Sequence, residues 1–142
     1  MMPFACAAFS LPAFHDRVPT TVLIVEDEPM VCELAAEALV EAGYRVLTAA
    51  DAWDAEAILA RETVDLLFTD IDLARNTNGI MLAHAARAQC PSLPVVYTSG
   101  GRACLPQGEA VSASVFVAKP YRLSQLVALA NDILRHVHPD YA

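Results

Sequence analysis

Residues 21–28 read Thr-Val-Leu-Ile-Val-Glu-Asp-Glu (TVLIVEDE), five apolar or β-branched side chains followed at once by three carboxylates. A short apolar run without alternation marks a strand buried on both faces, as in parallel sheets covered by helices on either side. Working outward, residues 28–42 place Val31, Leu34, Ala35, Ala38 and Leu39 at helical spacing. Pro29 stands near the start of that helix, where a missing N–H costs little, and Gly43 ends it. The unit then repeats. Residues 44–48 (YRVLT) read as a strand, and Asp51 caps a helix running to about residue 61. Residues 66–69 (LLFT) form a third strand closed by Asp70, and a polar loop (DIDLARNTNG) leads into a helix over residues 80–89. Residues 95–98 (VVYT) and 115–117 are the fourth and fifth strands. The last helix runs from Leu123 to about His136, with Leu126, Val127, Ala130, Ile133 and Leu134 as its buried stripe. Residues 102–113 contain Pro106 and Gly108 and are poorly patterned, so any helix there is short.

Strands alternating with helices imply an α/β fold, and the right-handed crossover rule leaves few topologies. The expectation is a doubly wound, flavodoxin-like, five-stranded parallel sheet in the order 2-1-3-4-5. Such sheets bind ligands beyond the carboxyl ends of the strands, where the winding reverses. The polar residues gather at that edge. Strand one ends in Glu26, Asp27 and Glu28, strand three in Asp70 with Asp72 beyond it, strand four in Thr98 and Ser99, and strand five in Lys119 and Pro120. Carboxylates brought together repel and raise one another's pKa. A hard cation such as Mg²⁺ resolves this with one or two carboxylates plus a phosphate. A lysine and a serine hydroxyl complete the inventory for phosphoryl transfer to a protein carboxylate.

The bulk properties narrow the function classes. The 142 residues suit one domain, expected over residues 21–138, with a core that needs no disulfide. The net charge of −8 is a poor match for a phosphate backbone, so direct nucleic-acid binding is not expected. No apolar run reaches the roughly 18 residues of a membrane span. Cys6, Cys32, Cys90 and Cys104 show neither CxxC nor zinc spacing and read as free thiols of a reducing cytoplasm. Residues 1–20 begin apolar but lack a basic start and are broken by Pro3 and Pro12, which disfavours a signal peptide. They read as an extension without fixed structure, and residues 139–142 as a tail.

The set VLIVEDEP, LLFTDIDL…NG, PVVYTSG and FVAKPY resembles the receiver domain of two-component response regulators, of the single-domain chemotaxis-regulator type, over about residues 21–137. The resemblance implies roles. Asp70 matches the phospho-acceptor and also a Mg²⁺ ligand. Asp27 matches the direct Mg²⁺ ligand of the acidic pair, Glu26 its partner through a metal-bound water, and the backbone carbonyl of Asp72 the third protein ligand. Ser99, five residues past Pro94, matches the switch hydroxyl, and Phe116 the switch aromatic. Lys119 matches the charge-neutralising lysine, and the peptide bond before Pro120 is often cis in the family. The implied partners are a histidine kinase or histidine phosphotransfer protein and an unidentified downstream protein target, in the cytoplasm. No enzymatic turnover beyond slow self-dephosphorylation is implied. Three departures stand out. Ala74 replaces a usual proline, and Gly79 comes late, nine residues after Asp70, behind a stretch (ARNTN) that reads as flexible. Residues 102–113 replace the family's fourth helix, part of a face often used for output or dimerisation. Two rivals remain: a phosphatase or hydrolase with Asp70 as nucleophile and Asp72 as general acid, and a receiver that binds partners without phosphorylation.

Overall fold

Five strands pair entirely in parallel in the order β2-β1-β3-β4-β5, with β1 at Thr21–Val25, β2 at Arg45–Ala49, β3 at Leu66–Asp70, β4 at Val95–Ser99 and β5 at Val115–Ala118. The helices are α1 (Pro29–Glu41), α2 (Ala52–Arg61), α3 (Gly79–Gln89) and α4 (Leu123–Val137), with a 3-10 turn at Ala74–Asn76. The computed structural model describes residues 19–105 and 108–137. The N-terminal extension up to residue 18 and the 139–142 tail lie outside the described residues.

The sequence TVLIV explains its own burial. Val22 and Ile24 enter one core with Leu66, Phe68, Val96 and Val117 of the sheet, Ala35 and Leu39 of α1, and Leu126, Ala130 and Leu134 of α4. Leu23 and Val25 enter the opposite core with Leu67, Val95, Tyr97, Ala55 and Ile58 of α2, and Leu82, Ala83 and Ala86 of α3. Successive strand residues point to opposite faces, and both faces are covered, so every position from Val22 to Val25 favours an apolar side chain.

β2 starts one residue later than the sequence suggests. Tyr44 belongs to the end of α1: its N–H donates to the Leu39 carbonyl (3.1 Å), while that of Gly43 donates to Val40 (3.0 Å). This is the Schellman pattern, and it needs the left-handed backbone that Gly43 supplies at φ 103°.

Between β4 and β5, none of the described residues 102–105 and 108–113 is helical. Side chains hold this segment where helical hydrogen bonds would. The buried Tyr97 hydroxyl accepts the Val111 N–H (3.2 Å), Ser114 Oγ donates to the Val111 carbonyl (2.8 Å), and His84 Nε2 donates to the Glu109 carbonyl (2.6 Å). Tyr97→Phe leaves the Val111 N–H buried without that acceptor. The expected loss is about 1–2 kcal/mol by urea denaturation, with faster amide exchange at residues 108–113.

Candidate functional site

The topology delivers the expected acids to one edge. Glu26 extends β1 by one more pairing, its N–H donating to the Ala49 carbonyl (2.9 Å). Its carboxylate is thereby turned inward and is only 3% exposed, whereas Asp27 is exposed. Asp70 is the last residue of β3 and is 6% exposed. One carboxylate oxygen from each of Glu26, Asp27 and Asp70 lies within 4.8 Å of the others.

Lys119 follows β5 and reaches across the edge. Its N–H donates to the Ser99 carbonyl (3.0 Å). Its ammonium donates to Asp70 Oδ2 at 3.1 Å and to Glu28 Oε1 at 3.2 Å. Nζ also lies 2.7 Å from Glu26 Oε1, an ion contact without hydrogen-bond alignment. That buried oxygen therefore has no hydrogen-bond donor among the described residues, although Oε2 accepts the Glu28 N–H at 3.1 Å. The peptide bond between Lys119 and Pro120 is cis.

The charges compete. Burial pushes the Asp70 carboxyl above its usual range, and the charge of Asp27 adds to this, while Lys119 opposes it. Burial also raises Glu26, against Lys119 and the Glu28 N–H, with Asp70 repelling it further. For Lys119, burial disfavours the charge, but the close contacts with Glu26 and Asp70 and the attraction of their charges win, so it stays an ammonium well above its ordinary value. Tyr121 stands behind the site with its ring edge-on to Phe68, centroids 5.7 Å apart. Burial, then the Glu26 charge, push its hydroxyl up to about 12.

Three hard oxygen donors, from one exposed and two buried carboxylates, fit a divalent cation of the Mg²⁺ class. A pH prediction follows with its sign. Glu26 and Asp70 bind protons more readily in the folded than in the unfolded chain. Without added cation, stability should therefore fall as pH rises from the ordinary carboxylate range through their raised values. A saturating divalent cation should remove that fall. Urea denaturation across pH, with and without Mg²⁺, measures both.

Ser99 closes β4, 1% exposed, one residue past Thr98, which pairs with Asp70; its Oγ accepts the Gly101 N–H at 3.2 Å. Phe116 pairs with Tyr97 in the sheet, half-buried against the α2 and α3 core. The side chain of Asp72 is exposed, and its backbone bridges Asn78.

Two features escaped the sequence reading. Gly79 lies where a Cβ would stand 2.0 Å from the Asp70 carbonyl oxygen. The stretch expected to be flexible is instead fastened: Arg75 Nε donates to Asp51 Oδ2 at 2.6 Å, and the Ala52 N–H donates to Thr77 Oγ1 at 3.1 Å. Nothing in local sequence announces these ties, since Arg75 and Asp51 are 24 residues apart.

The comparisons with known proteins bear on family and fold. The family described as the response regulator receiver domain matches residues 22–131. The probable transcriptional regulatory protein TcrX of Mycobacterium tuberculosis is 30% identical over 122 residues, covering 84% of this chain and 52% of that protein. The phosphate regulon transcriptional regulatory protein PhoB of Pseudomonas aeruginosa is 32% identical over 126 residues, covering 86% and 55%. The chain thus spans about half the length of these two relatives. A solved response regulator receiver protein from Sinorhizobium medicae superposes with a TM-score of 0.77 at 27% identity, covering 82% of this chain and 95% of that one. Among the described residues, no helix is long and apolar enough to cross a membrane.

Proposed function

This chain belongs to the response regulator receiver family, and from that premise we propose that it is a phospho-acceptor switch in which Asp70 takes a phosphoryl group from the phosphohistidine of a histidine kinase or histidine phosphotransfer protein. The observation that supports this most is convergence. Acids from β1 and β3 and the Lys119 ammonium after β5 meet at one edge, with Asp70 Oδ2 3.1 Å from Lys119 Nζ.

Asp27, Asp70, the main-chain carbonyl of Asp72 and, through water, Glu26 would hold Mg²⁺. When bound, the cation supplies positive charge against the phosphoryl oxygens. Asp70 attacks the phosphorus in line, forming a P–O bond as the P–N bond to the donor imidazole breaks; the electron pair returns to that ring. Lys119 shifts its hydrogen bond from the Asp70 carboxylate to a phosphoryl oxygen. The Ser99 hydroxyl, now accepting from Gly101, turns to donate to another. Phe116 then moves toward the space Ser99 vacates, and this biases a two-state surface near β4 and β5.

The chain in this reading holds or passes on its phosphoryl group and turns over no substrate. Its output is contact with a downstream protein or relay to a second histidine protein, in the cytoplasm, and its acidic charge of −8 disfavours nucleic acid as the partner. A radiolabelled, phosphorylated histidine phosphotransfer protein provides the test. Label should pass to this chain with Mg²⁺ and stay on the donor with a chelator. Onward transfer to a second histidine protein would mark a relay, and retention with phospho-dependent capture of a target would mark a switch. Steady turnover of a phosphate monoester would contradict the proposal in favour of the hydrolase reading.

A further inference from the structure

The loop that follows Asp70 is held in an unfavourable backbone conformation by a side chain gripping another element. Arg75 has φ of 56°, in the left-handed region that residues with a Cβ seldom adopt, and Asn76, a residue type that tolerates that region, follows at 55°. Two ties to the first turn of α2 sustain it. Arg75 Nε donates to Asp51 Oδ2 at 2.6 Å, Nη2 pairs with the same oxygen, and Nη2 lies 3.7 Å from Asp54 Oδ1. The Thr77 hydroxyl accepts the Ala52 N–H at 3.1 Å while donating to the Ala74 carbonyl at 2.7 Å.

Asp51 is suited to this grip. It is 3% exposed and already caps α2, accepting the Asp54 N–H at 2.9 Å. That bond, together with Arg75, holds its carboxyl below the usual range against the opposing effect of burial. The grip therefore rests on a fixed anchor. Asp72 lies between the clasp and Asp70. Its backbone bridges Asn78, and the turn is closed by the Leu73 N–H donating to the Thr77 carbonyl at 3.2 Å. The Gly79 N–H donates to the Ile71 carbonyl at 2.8 Å, so the segment from Ile71 to Gly79 is a closed loop. Its base is fixed by the Ile71 N–H on the Thr98 carbonyl (2.9 Å) and by Ile71 and Leu73 in the core, and its tip is tied to α2 at Arg75 and Thr77.

We propose that the Arg75–Asp51 pair is a clasp that positions the loop after Asp70, and with it the main-chain carbonyl of Asp72, so that it sets the affinity of the acidic site for a divalent cation. This rests on the reading above, that the site binds Mg²⁺. Arg75 and Asp51 are positioning residues, acting through the loop backbone.

The test is calorimetric Mg²⁺ titration of the full chain, with amide exchange at residues 71–78 in the metal-free protein and the unfolding midpoint as companion readouts. Arg75→Ala removes the grip. Asp51→Asn removes the charge but keeps an oxygen for the α2 cap. Both should weaken Mg²⁺ binding about tenfold, the low end of what losing an orienting partner of a metal ligand does. Both should also speed exchange at residues 71–78, and Arg75→Lys should fall between them and the wild type. Unchanged affinity and exchange in both variants would overturn the clasp alone. A loss of affinity that merely tracks a lowered unfolding midpoint would show a structural role and overturn it as well. A wild-type chain that binds no Mg²⁺ would overturn the underlying reading and the clasp together.

Discussion

Replacing Gly79 by alanine is expected to cost about 3 kcal/mol or more of stability and to take phosphoryl acceptance by Asp70 with it. The added Cβ would stand 2.0 Å from the Asp70 carbonyl oxygen and 2.8 Å from Thr69 Oγ1. The first of these is backbone at the end of a buried strand, so no side chain can rotate out of the way. The Gly79 N–H is itself bonded to the Ile71 carbonyl at 2.8 Å, which pins the two segments together. Relief requires the carboxyl end of β3 to move, and Asp70 is its last residue. Gly100→Ala is the control. It lies beside the same site, but its Cβ would come no closer than 3.9 Å to the Lys119 side chain, so a near-neutral effect is expected. Urea denaturation and a phosphorylation assay on the two variants read both effects.

Replacing Lys119 by alanine is expected to lower the rate of phosphoryl acceptance by roughly 100-fold or more, by analogy with losing one donor to a developing oxyanion. It should also destabilise the cation-free protein at neutral pH by about 3 kcal/mol, the scale for stranding a buried charge. The cause is local. Lys119 Nζ lies 2.7 Å from Glu26 and 3.1 Å from Asp70, both nearly buried. Removing it leaves mutually repelling carboxylates whose burial already holds their protons on to higher pH. The loss should therefore shrink as pH falls, because the stranded groups protonate in the folded state first. Mg²⁺ should restore part of the stability, since it supplies positive charge at the same carboxylates, yet leave the rate low, because the phosphoryl oxygen that Lys119 meets stays unneutralised. Recovery of stability without recovery of rate separates the two roles of this lysine.

The fold was legible because its signals are short-range or periodic. The unbroken TVLIV, LLFT and VVYT runs announce strands covered on both faces, and Gly43 marks the end of α1. The acids and Lys119 were legible as a site because the order of parallel strands sends every carboxyl end to the same edge. The parts that stayed hidden depend on contacts across the chain. Arg75 finds Asp51 only because α2 packs beside α3. Gly79 reads as a late loop glycine until the Asp70 carbonyl is seen against it. The weak pattern over residues 102–113 argues against a long helix, but nothing in it shows that Tyr97, inside the VVYT strand, holds the segment through its hydroxyl. Local sequence carries propensity and burial; it does not say which hydroxyl or guanidinium a distant segment will meet.

The most direct measurement is the intact mass of the chain after exposure to acetyl phosphate, wild type beside Asp70→Asn, with Mg²⁺ and with chelator. The expected result is one added phosphoryl group on the wild type, dependent on Mg²⁺ and absent from Asp70→Asn, with peptide mapping placing it on Asp70. Equal labelling of the Asn variant, or a wild type that takes no phosphoryl group in the presence of Mg²⁺, would contradict the assignment of Asp70 as the acceptor.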